Sequence, residues 1–299
     1  MLRLSRITSG CQVASYPNDK GIRKILSLTN RRIMIYFNVN QYDEERSAMA
    51  SHPIYQFYAE LDDYKPKIWR RFQVIDDITV ARLGYILQVM FEMTASHLMA
   101  IEVPKGENLR KIMSEKYPDL PSNATVFAGR NDLIWRYEVM SEDLEPFSDP
   151  HRDVSIADAV KTRLRHAVCE PGEKLNFNYD FGDDWWVSLT LEKVFEDKEL
   201  PGSELPRVLD GAGFGIVEDV GGTGGLEDFA KAFRKKKGAD YKQFSEWLGV
   251  EDFDLSAFDM DDMNFRLKKI PRIYKQCYED RLTPTQKSID LIERKYLSR

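Results

Sequence analysis

Cysteine and histidine are both scarce in this chain, and their scarcity limits the chemistry that the sequence can offer. Three cysteines and four histidines occur in 299 residues. The cysteines, at positions 11, 169 and 277, are scattered and form no CxxC pair, which argues against a disulfide framework and against a zinc ribbon. Free thiols are typical of a reducing compartment, so the sequence predicts a cytoplasmic protein.

Long apolar runs and an excess of positive charge are also missing. No stretch reaches the roughly 18–20 apolar residues that a bilayer-spanning helix needs, so we expect no membrane partner. With 43 lysines and arginines against 49 acidic residues, the formal net charge is -6. Such a chain carries no overall positive field that would collect nucleic acid nonspecifically.

One local exception is a basic strip that contains an aromatic residue, Lys65-Pro66-Lys67-Ile68-Trp69-Arg70-Arg71. Arg70 and Arg71 could contact phosphate while Trp69 stacks on a base. The structural alternative is a cation–π contact between Arg71 and Trp69, which share one face of an alternating strand. The pattern leaves both interpretations open.

The hydrophobic period changes several times along the chain. Alternation predicts strands over 54–61, 68–74, 97–103, 133–139, 175–179 and 187–191, the first two of which are predicted to pair as a β-hairpin. Residues 104–125 are predicted to be loop-like with a possible helical turn. Spacings of three and four predict helices over 80–90, 155–166, 226–237, 241–248 and 261–269. The first helix would begin at Asp77 or Thr79, and the stretch after Val194 reads as a glycine-rich loop. Because no regular βαβ cycle occurs, we predict an α+β fold with a mixed or antiparallel sheet packed against helices.

The two ends of the chain differ from its middle. Residues 1–51 are weakly patterned and are interpreted as an N-terminal extension. Residues 52–269 carry the regular pattern and are predicted to form one α+β domain. Residues 270–299 are predicted to be a helical C-terminal extension, whose last helix begins with Thr283 as N-cap and Pro284 in the first turn.

The most distinctive stretch is Tyr179-Asp180-Phe181-Gly182-Asp183-Asp184-Trp185-Trp186-Val187, which is dense in both aromatic rings and carboxylates. Aromatic side chains are costly to leave in water, and carboxylates are costly to bury without partners. We therefore predict a turn with its rings inward and its acids at a wet rim or against fixed donors. A ligand-binding cleft and a structural corner both fit this description.

Acidic residues on this stretch and farther along the chain form a candidate divalent-cation site. The candidates are Asp180, Asp183, Asp184, Glu218 and Asp219, whose oxygens would suit magnesium or manganese. The alternative is that Asp180 and Asp183 cap turns through bonds to nearby amides. The glycine-rich segments 211–215 and 221–225 match neither the Walker nor the GxGxxG pattern, and are interpreted as places of tight backbone packing.

Four segments occur in an order that resembles a known family. They are 55–61 with 66–71, Ser96-His97-Leu98, the stretch 179–185, and Glu218-Asp219-Val220-Gly221-Gly222 with Gly224-Gly225. Over about residues 54–269 the chain resembles the plasmid Ri Orf-three-like family, whose relatives include passenger proteins (TnpR-type) of mobile insertion elements. The resemblance implies a compact α+β fold and a mobile-element origin, and it implies no particular biochemical activity.

The same resemblance implies a metal site that this chain has altered. Similar sequences carry two further histidines and a cysteine, donors that suit a transition metal. This chain keeps His97 but has Met99, Val187 and Gly215 at those positions. A lone histidine does not hold zinc with structural affinity, so we predict no bound metal.

These observations favour a non-enzymatic binding protein of mobile-element origin, with a protein or a nucleic acid as partner. Its predicted recognition cleft lies between the turn at 179–186 and the loop at 218–225. The candidate cleft residues are His97, Tyr179, Asp180, Asp183, Asp184, Trp185, Trp186, Glu218 and Asp219. One alternative is a divalent-metal-dependent enzyme that acts on nucleic acid through the acidic residues. Another is an acidic DNA mimic that inhibits a host defence complex.

Overall fold

Eight β-strands lie side by side in one sheet at the centre of the computed structural model, which describes residues 52–116, 118, 133–140 and 154–297. They are β1 (Ile54–Leu61), β2 (Trp69–Ile75), β3 (Met99–Pro104), β4 (Ile134–Glu138), β5 (Val154–Asp158), β6 (Lys174–Tyr179), β7 (Trp185–Phe195) and β8 (Arg207–Ala212). Their spatial order is β5-β4-β3-β6-β7-β1-β2-β8. Only β4 and β5 pair in parallel, and every other neighbouring pair is antiparallel.

Eight helices accompany the sheet in the described part of the chain. They are α1 (Val80–Met90), α2 (Lys105–Lys116), α3 (Leu164–Ala167), α4 (Gly222–Lys235), α5 (Ala239–Leu248), α6 (Met260–Leu267), α7 (Ile270–Tyr278) and α8 (Gln286–Ile292). Every residue of α1 except Arg82 is buried, so α1 is the central core helix. Thr79 is its N-cap, as predicted, and accepts from the Arg82 amide at 3.1 Å. The predicted α+β class is confirmed.

The predicted hairpin of β1 and β2 is also confirmed, and it shows how the core forms. Tyr55, Phe57, Ala59 and Leu61 alternate along β1 and are all buried in the main hydrophobic core. On β2, Phe72 and Val74 face the same core. Arg70 occupies the next position on that face and is fully buried, although an alternating pattern would place an apolar residue there.

Two predicted assignments between β4 and α4 are wrong. Residues 155–166 form β5 and the short α3 instead of one helix, because Val154–Asp158 pairs with β4 and the turn after it contacts the start of α1. The stretch after Val194 contains β8, where Gly211 pairs with Arg70. Its glycine is required because a Cβ there would lie 2.8 Å from the Trp69 carbonyl oxygen. Residues 105–116, predicted to be mostly loop, form α2.

The C-terminal helices pack onto the same core as the sheet. Ile270 and Tyr274 are fully buried there beside Leu267, so packing continues across the predicted boundary at residue 269. The last helix is present, but its N-cap is Thr285 and not Thr283. The predicted N-terminal extension, residues 1–51, lies outside the described residues. No helix in the described residues is both long and apolar enough to cross a membrane.

Candidate functional site

Three loops meet beyond one end of the neighbouring strands β3 and β6. Met99 and Tyr179 pair across these strands, so the residues just outside them come together. The Asp180 amide donates to the Leu98 carbonyl oxygen at 3.0 Å, which places His97 and Asp180 at the same edge of the sheet. The loop before α4, which carries Glu218 and Asp219, closes the third side.

His97 lies at the centre of this arrangement, with carboxylates around its imidazole ring. Its Nδ1 is 3.6 Å from Asp180 Oδ2, and its Nε2 is 3.3 Å from Asp219 Oδ1 and 3.8 Å from Glu218 Oε2. One potential ligand atom each from His97, Asp180 and Asp219 lies within 4.8 Å of the other two. We call His97, Asp180, Glu218 and Asp219 the His97 cluster.

Glu218 is the most firmly held carboxylate of the His97 cluster. Its Oε1 accepts hydrogen bonds from the Tyr179 hydroxyl at 2.8 Å, the Thr94 amide at 2.6 Å and the Thr94 hydroxyl at 3.0 Å. Its Oε2 is buried and has no hydrogen-bond partner among the described residues. A buried carboxylate oxygen without a partner is costly, so this atom calls for a cation or a donor from outside.

Tyr179 fixes both the carboxylate of Glu218 and the ring of His97. Its ring meets the imidazole edge to face, with centroids 5.8 Å apart, and its hydroxyl lies 3.3 Å from the Ser96 hydroxyl. Burial, followed by the charge of Glu218, raises the pKa of Tyr179. The phenol therefore stays protonated and continues to donate to Glu218. Thr94 and Ser96 were not predicted as site residues: Thr94 lies in no recognisable motif, and Ser96 belongs to the Ser96-His97-Leu98 segment of the resemblance, which drew attention to His97 alone.

The backbone at the cluster adopts a conformation that is unusual for residues other than glycine. Asp180, Asp219 and Ala95 have φ values of 50°, 57° and 63°, in the left-handed region. Aspartate tolerates this region better than most residues, and such outliers concentrate at functional sites. The strained positions here include two members of the His97 cluster.

The remaining acids of the 179–186 stretch, Asp183 and Asp184, make hydrogen bonds within the turn and to its neighbouring loop. Asp183 Oδ2 accepts from the Gly221 amide at 3.1 Å and ties the turn to the loop before α4. Asp184 Oδ1 accepts from the Trp186 indole at 2.8 Å and from Asn178 at 3.1 Å. Asp180 both stabilises the turn and belongs to the His97 cluster. Its Oδ1 accepts from the Gly182 amide, and its Oδ2 faces His97.

The two tryptophans of the predicted cleft lie on opposite faces of β7. Trp185 pairs with Tyr179 and is fully buried, and its indole N–H has no hydrogen-bond partner among the described residues. Trp186 is half-buried and bonds to Asp184, away from the His97 cluster. The aromatic residues of this turn are therefore divided between the core and the opposite face, and they do not line one cleft.

Two of the four glycines at the start of α4, Gly222 and Gly225, permit close backbone contact as predicted, whereas Gly221 and Gly224 have open space around them. A Cβ on Gly222, whose φ is 68°, would lie 2.7 Å from the Asp183 carbonyl oxygen. A Cβ on Gly225 would lie 1.8 Å from the carbonyl oxygen of Val220. The approach at Gly222 brings the Glu218–Gly222 loop against the acidic turn, and the approach at Gly225 brings the same loop against α4.

The three positions where the resemblance implies further metal donors are core or backbone positions here. Met99 is buried, and its sulfur accepts from Gln88 at 3.0 Å. Val187 is fully buried in the hydrophobic core. Gly215 has φ 143°, and a side chain there would meet the Phe91 carbonyl oxygen at 2.5 Å. The groups that face His97 are therefore carboxylates, which belong to the same set of candidate cleft residues as His97 itself.

The expected phosphate contact at Arg70 is incompatible with its position. Arg70 is fully buried and donates only to backbone carbonyl oxygens. Arg71 is half-buried and pairs with Glu192 through two bonds of 2.8 Å. Its guanidinium also lies 5.7 Å from the Trp69 ring centroid, which supports the cation–π alternative for this pair.

The fold and the site together define an α+β protein with a histidine–carboxylate cluster at one end of a mixed sheet. The chain belongs to the plasmid pRiA4b ORF-3-like protein family, which it matches over residues 53–262. It is 33% identical over 205 residues to the uncharacterized protein y4hQ of Sinorhizobium fredii, an alignment covering 68% of this chain and 85% of that protein. The crystal structure of MM3350, a protein of unknown function from Methanosarcina mazei Go1, shares the fold with a TM-score of 0.52 at 21% identity, covering 71% of this chain and 97% of that one.

Proposed function

We propose that this protein is a binding protein whose recognition centre is a divalent cation held by the His97 cluster. The observation that carries the proposal is the buried, unpartnered Glu218 Oε2, which faces the Nε2 atom of His97. A set of one imidazole and several carboxylates suits borderline and hard divalent ions such as Mn²⁺ and Zn²⁺. The donors replace the histidine- and cysteine-rich set implied by the sequence resemblance.

The distances within the cluster favour a shared ion over direct contacts between its members. The carboxylate oxygens lie 3.3–3.8 Å from the imidazole nitrogens, beyond the usual range of a nitrogen–oxygen hydrogen bond. A protonated His97 paired directly with these acids is the competing arrangement. It would leave Glu218 Oε2 at 3.8 Å from Nε2, still without a hydrogen bond.

The charge of the cluster indicates what an ion would do for partner binding. Among the described residues, Asp180, Glu218 and Asp219 each have a carboxylate oxygen within 3.8 Å of a His97 nitrogen, and they form ion pairs with no lysine or arginine. Without an ion the carboxylates would repel a phosphate or an acidic side chain. A bound divalent cation reverses that local charge, so a nucleic acid or a protein carboxylate could complete its coordination. The acids converge inward on His97, an arrangement that does not favour the DNA-mimic alternative.

Isothermal titration of the full chain with Mn²⁺ tests the proposal. Wild-type protein should bind one ion per chain, and His97→Asn and Glu218→Gln should each weaken binding more than about tenfold, the lower end of what loss of an outer-shell partner costs. Asp184→Asn is the matched control, because Asp184 belongs to the same turn but bonds to Trp186 and Asn178. A wild-type protein that takes up no Mn²⁺, or three variants that bind equally well, would refute the ion site.

One observation favours a second candidate, a metal-dependent enzyme that acts on nucleic acid. The Asp219 side chain is 70% exposed, so an ion beside it would keep an open side where water or substrate could bind. Catalytic metal sites keep such an open position, whereas structural sites are closed. Labelled single- and double-stranded DNA and RNA incubated with Mn²⁺ separate the candidates. Cleavage that disappears in His97→Asn supports the enzyme, and stable complexes without cleavage support the binding protein.

A further inference from the structure

The loop that carries His97 is held by a part of the chain that lies beyond the matched family residues. This loop, residues 92–97, connects α1 to β3 and supplies Thr94 and His97 to the site. The matched residues end at 262. We call residues 263–297, which contain most of α6 together with α7 and α8, the C-terminal segment. The C-terminal segment contacts this loop at Glu92, at Met93 and at His97.

The first contact is a buried ionic group at Glu92. Arg266 donates to both carboxylate oxygens of Glu92 at 2.9 Å, and Arg294 donates to the same two oxygens at 2.7 and 2.8 Å. Only 6% of the Glu92 side chain and 2% of the Arg266 side chain are exposed. Because Arg294 bonds to Glu92, the end of the C-terminal segment is tied to the first residue of the loop. Arg294 also bonds to Asp262 at 2.7 Å.

The other contacts are hydrogen bonds from two tyrosines of α7 to the loop backbone. The Tyr274 hydroxyl donates to the Met93 carbonyl oxygen at 2.6 Å. The Tyr278 hydroxyl donates to the carbonyl oxygen of His97 itself. Burial raises the pKa of both tyrosines well above the usual value, so both remain hydrogen-bond donors. The Tyr278 ring is fixed in turn by stacking on Tyr85, with centroids 5.5 Å apart.

We propose that the C-terminal segment positions the His97 loop for cation binding, with Tyr278 and Tyr274 as its positioning residues. The inference rests on the proposed cation site and adds a device that the matched family residues do not contain. Neither tyrosine hydroxyl belongs to the His97 cluster, and each reaches the loop through a backbone carbonyl. The Tyr278 hydroxyl also lies 3.3 Å from Gln88 Oε1. Fixing the His97 backbone limits the positions that its ring can reach, and outer-shell contacts that orient a ligand tune metal affinity.

The test removes single hydroxyl groups and measures Mn²⁺ affinity and ring position in the full-length protein. Tyr278→Phe keeps the ring that stacks on Tyr85 but loses the bond to His97, and we expect Mn²⁺ binding to weaken about tenfold. Tyr274→Phe should act in the same direction but less strongly, because its bond is at Met93. Tyr85→Phe is the matched control, since it removes a buried hydroxyl that donates to Glu279 and not to the loop.

A second readout does not depend on the ion. Protein labelled with ¹³C at the histidine ring gives a His97 signal, assigned by its loss in His97→Asn. In the absence of Mn²⁺ this signal should shift or broaden in Tyr278→Phe and stay unchanged in Tyr85→Phe, while both variants have similar melting temperatures. A purely structural role for Tyr278 would lower the melting temperature and leave the His97 signal in place.

The outcomes separate this proposal from the cation site itself. If the wild type binds Mn²⁺ and Tyr278→Phe matches it in both affinity and His97 signal, the positioning role is refuted while the cation site stands. If the wild type binds no Mn²⁺, the cation site fails, and the His97 signal alone decides the positioning role. A signal that moves in Tyr278→Phe only would support it, and an unmoved signal would overturn it.

Discussion

At the scale of single residues, Arg70 shows how a charge can be accommodated in a core without a carboxylate partner. Its guanidinium donates to the carbonyl oxygens of Trp69, Met90, Ala212, Gly213 and Phe214 at 2.8–3.0 Å. The Phe258 ring covers it with the centroid at 4.2 Å. Burial lowers the pKa of Arg70 to about 10, so the side chain stays protonated at neutral pH. It joins β2, β8 and the end of α1.

Replacing Arg70 by methionine should therefore destabilise the protein strongly. The substitution keeps much of the volume but leaves several buried carbonyl oxygens without donors, each costing about 1–3 kcal/mol, so we expect a loss of at least about 3 kcal/mol. Urea unfolding followed by tryptophan fluorescence measures it. Arg71→Met is the control on the same strand: the Arg71 side chain is 35% exposed, and loss of its pair with Glu192 should cost about 1 kcal/mol or less. Equal losses in the two variants would contradict this account.

The candidate site also depends on residue-scale detail that the sequence conveys only in part. The sequence identified His97, Asp180, Glu218 and Asp219 as site residues, because they belong to distinctive short segments. It did not distinguish Asp180, which faces His97, from Asp183 and Asp184, which bond elsewhere in the turn and its neighbouring loop. Aspartates that are neighbours in one turn look alike in the sequence, because residue type and spacing do not show which way each carboxylate points. Their roles differ because each carboxylate meets different groups in the folded turn: His97 for Asp180, the Gly221 amide for Asp183 and the Trp186 indole for Asp184.

At the scale of elements, the loop before α4 and the first turn of this helix show where glycine is needed and where it is not. Gly224 and Gly225 are adjacent in the helix. A Cβ on Gly225 would lie 1.8 Å from the Val220 carbonyl oxygen, whereas a Cβ on Gly224 would meet nothing within 4 Å. The contact at Gly225 folds the loop carrying Glu218 and Asp219 back onto the helix.

Alanine substitutions at these two glycines should have opposite effects. Gly224→Ala should be neutral or stabilise by up to about 1 kcal/mol, because alanine favours the helix and reduces the freedom of the unfolded chain. Gly225→Ala should destabilise by about 2 kcal/mol or more, because the backbone must move to relieve the clash. Thermal unfolding checks both stabilities. If Gly225→Ala were as stable as Gly224→Ala, the tight turn against Val220 would not exist in solution.

The sequence predicted an element correctly where its hydrophobic period matched the burial of its residues, and it failed where a residue had a role set by a neighbouring strand. The hairpin of β1 and β2 and the helix α1 follow one period throughout and pack against one core, so their sequences were sufficient. The strand β8 was predicted to be part of a loop because its glycine, Gly211, and the glycines that follow it in the sequence are a turn signal. Gly211 is there to let the strand approach Trp69 and Arg70 on β2. Whether Gly211 lies in a loop or in a strand therefore depends on the neighbouring strand β2, which the local sequence does not show.

At the scale of the whole molecule, tyrosines bonded to carboxylates make the stability of the fold sensitive to alkaline pH. Burial, with the bond to Glu60 next, raises the pKa of Tyr58 to about 12. Burial, with the bond to Asp262 next, raises the pKa of Tyr296 to about 12. Tyr58 lies on β1, whereas Tyr296 joins the chain end to α6.

The sign of the resulting pH dependence follows from these raised values. Below the usual tyrosine pKa near 10, both folded and unfolded chains keep the proton, so the contribution is fully present. Between about pH 10 and 12 the unfolded chain loses the proton first, and the free energy of unfolding should fall. Urea unfolding at stepped pH measures the slope, which should be shallower in Tyr58→Phe and in Tyr296→Phe. A free energy that stays constant from pH 10 to 12 would contradict the raised pKa values.

The family assignment also belongs to the whole molecule. Matched residues 53–262 contain the sheet and all four members of the His97 cluster, so the site lies within the shared fold. The C-terminal segment adds helices whose Tyr274 and Tyr278 reach the back of that site. The mobile-element origin and the cytoplasmic location remain predictions from the sequence, as does the identity of the partner.

The sequence by itself determined the α+β class, the core hairpin and helix, and the short segments that contain the candidate site. These properties follow from local periodicity and composition, which a single chain displays directly. Only the tertiary structure decided that carboxylates from separate loops surround His97, and that tyrosines from α7 hold its backbone. Glu218 is 121 residues from His97 in the chain (218 minus 97). Contacts over such separations depend on strand order and backbone turns, which no local pattern encodes.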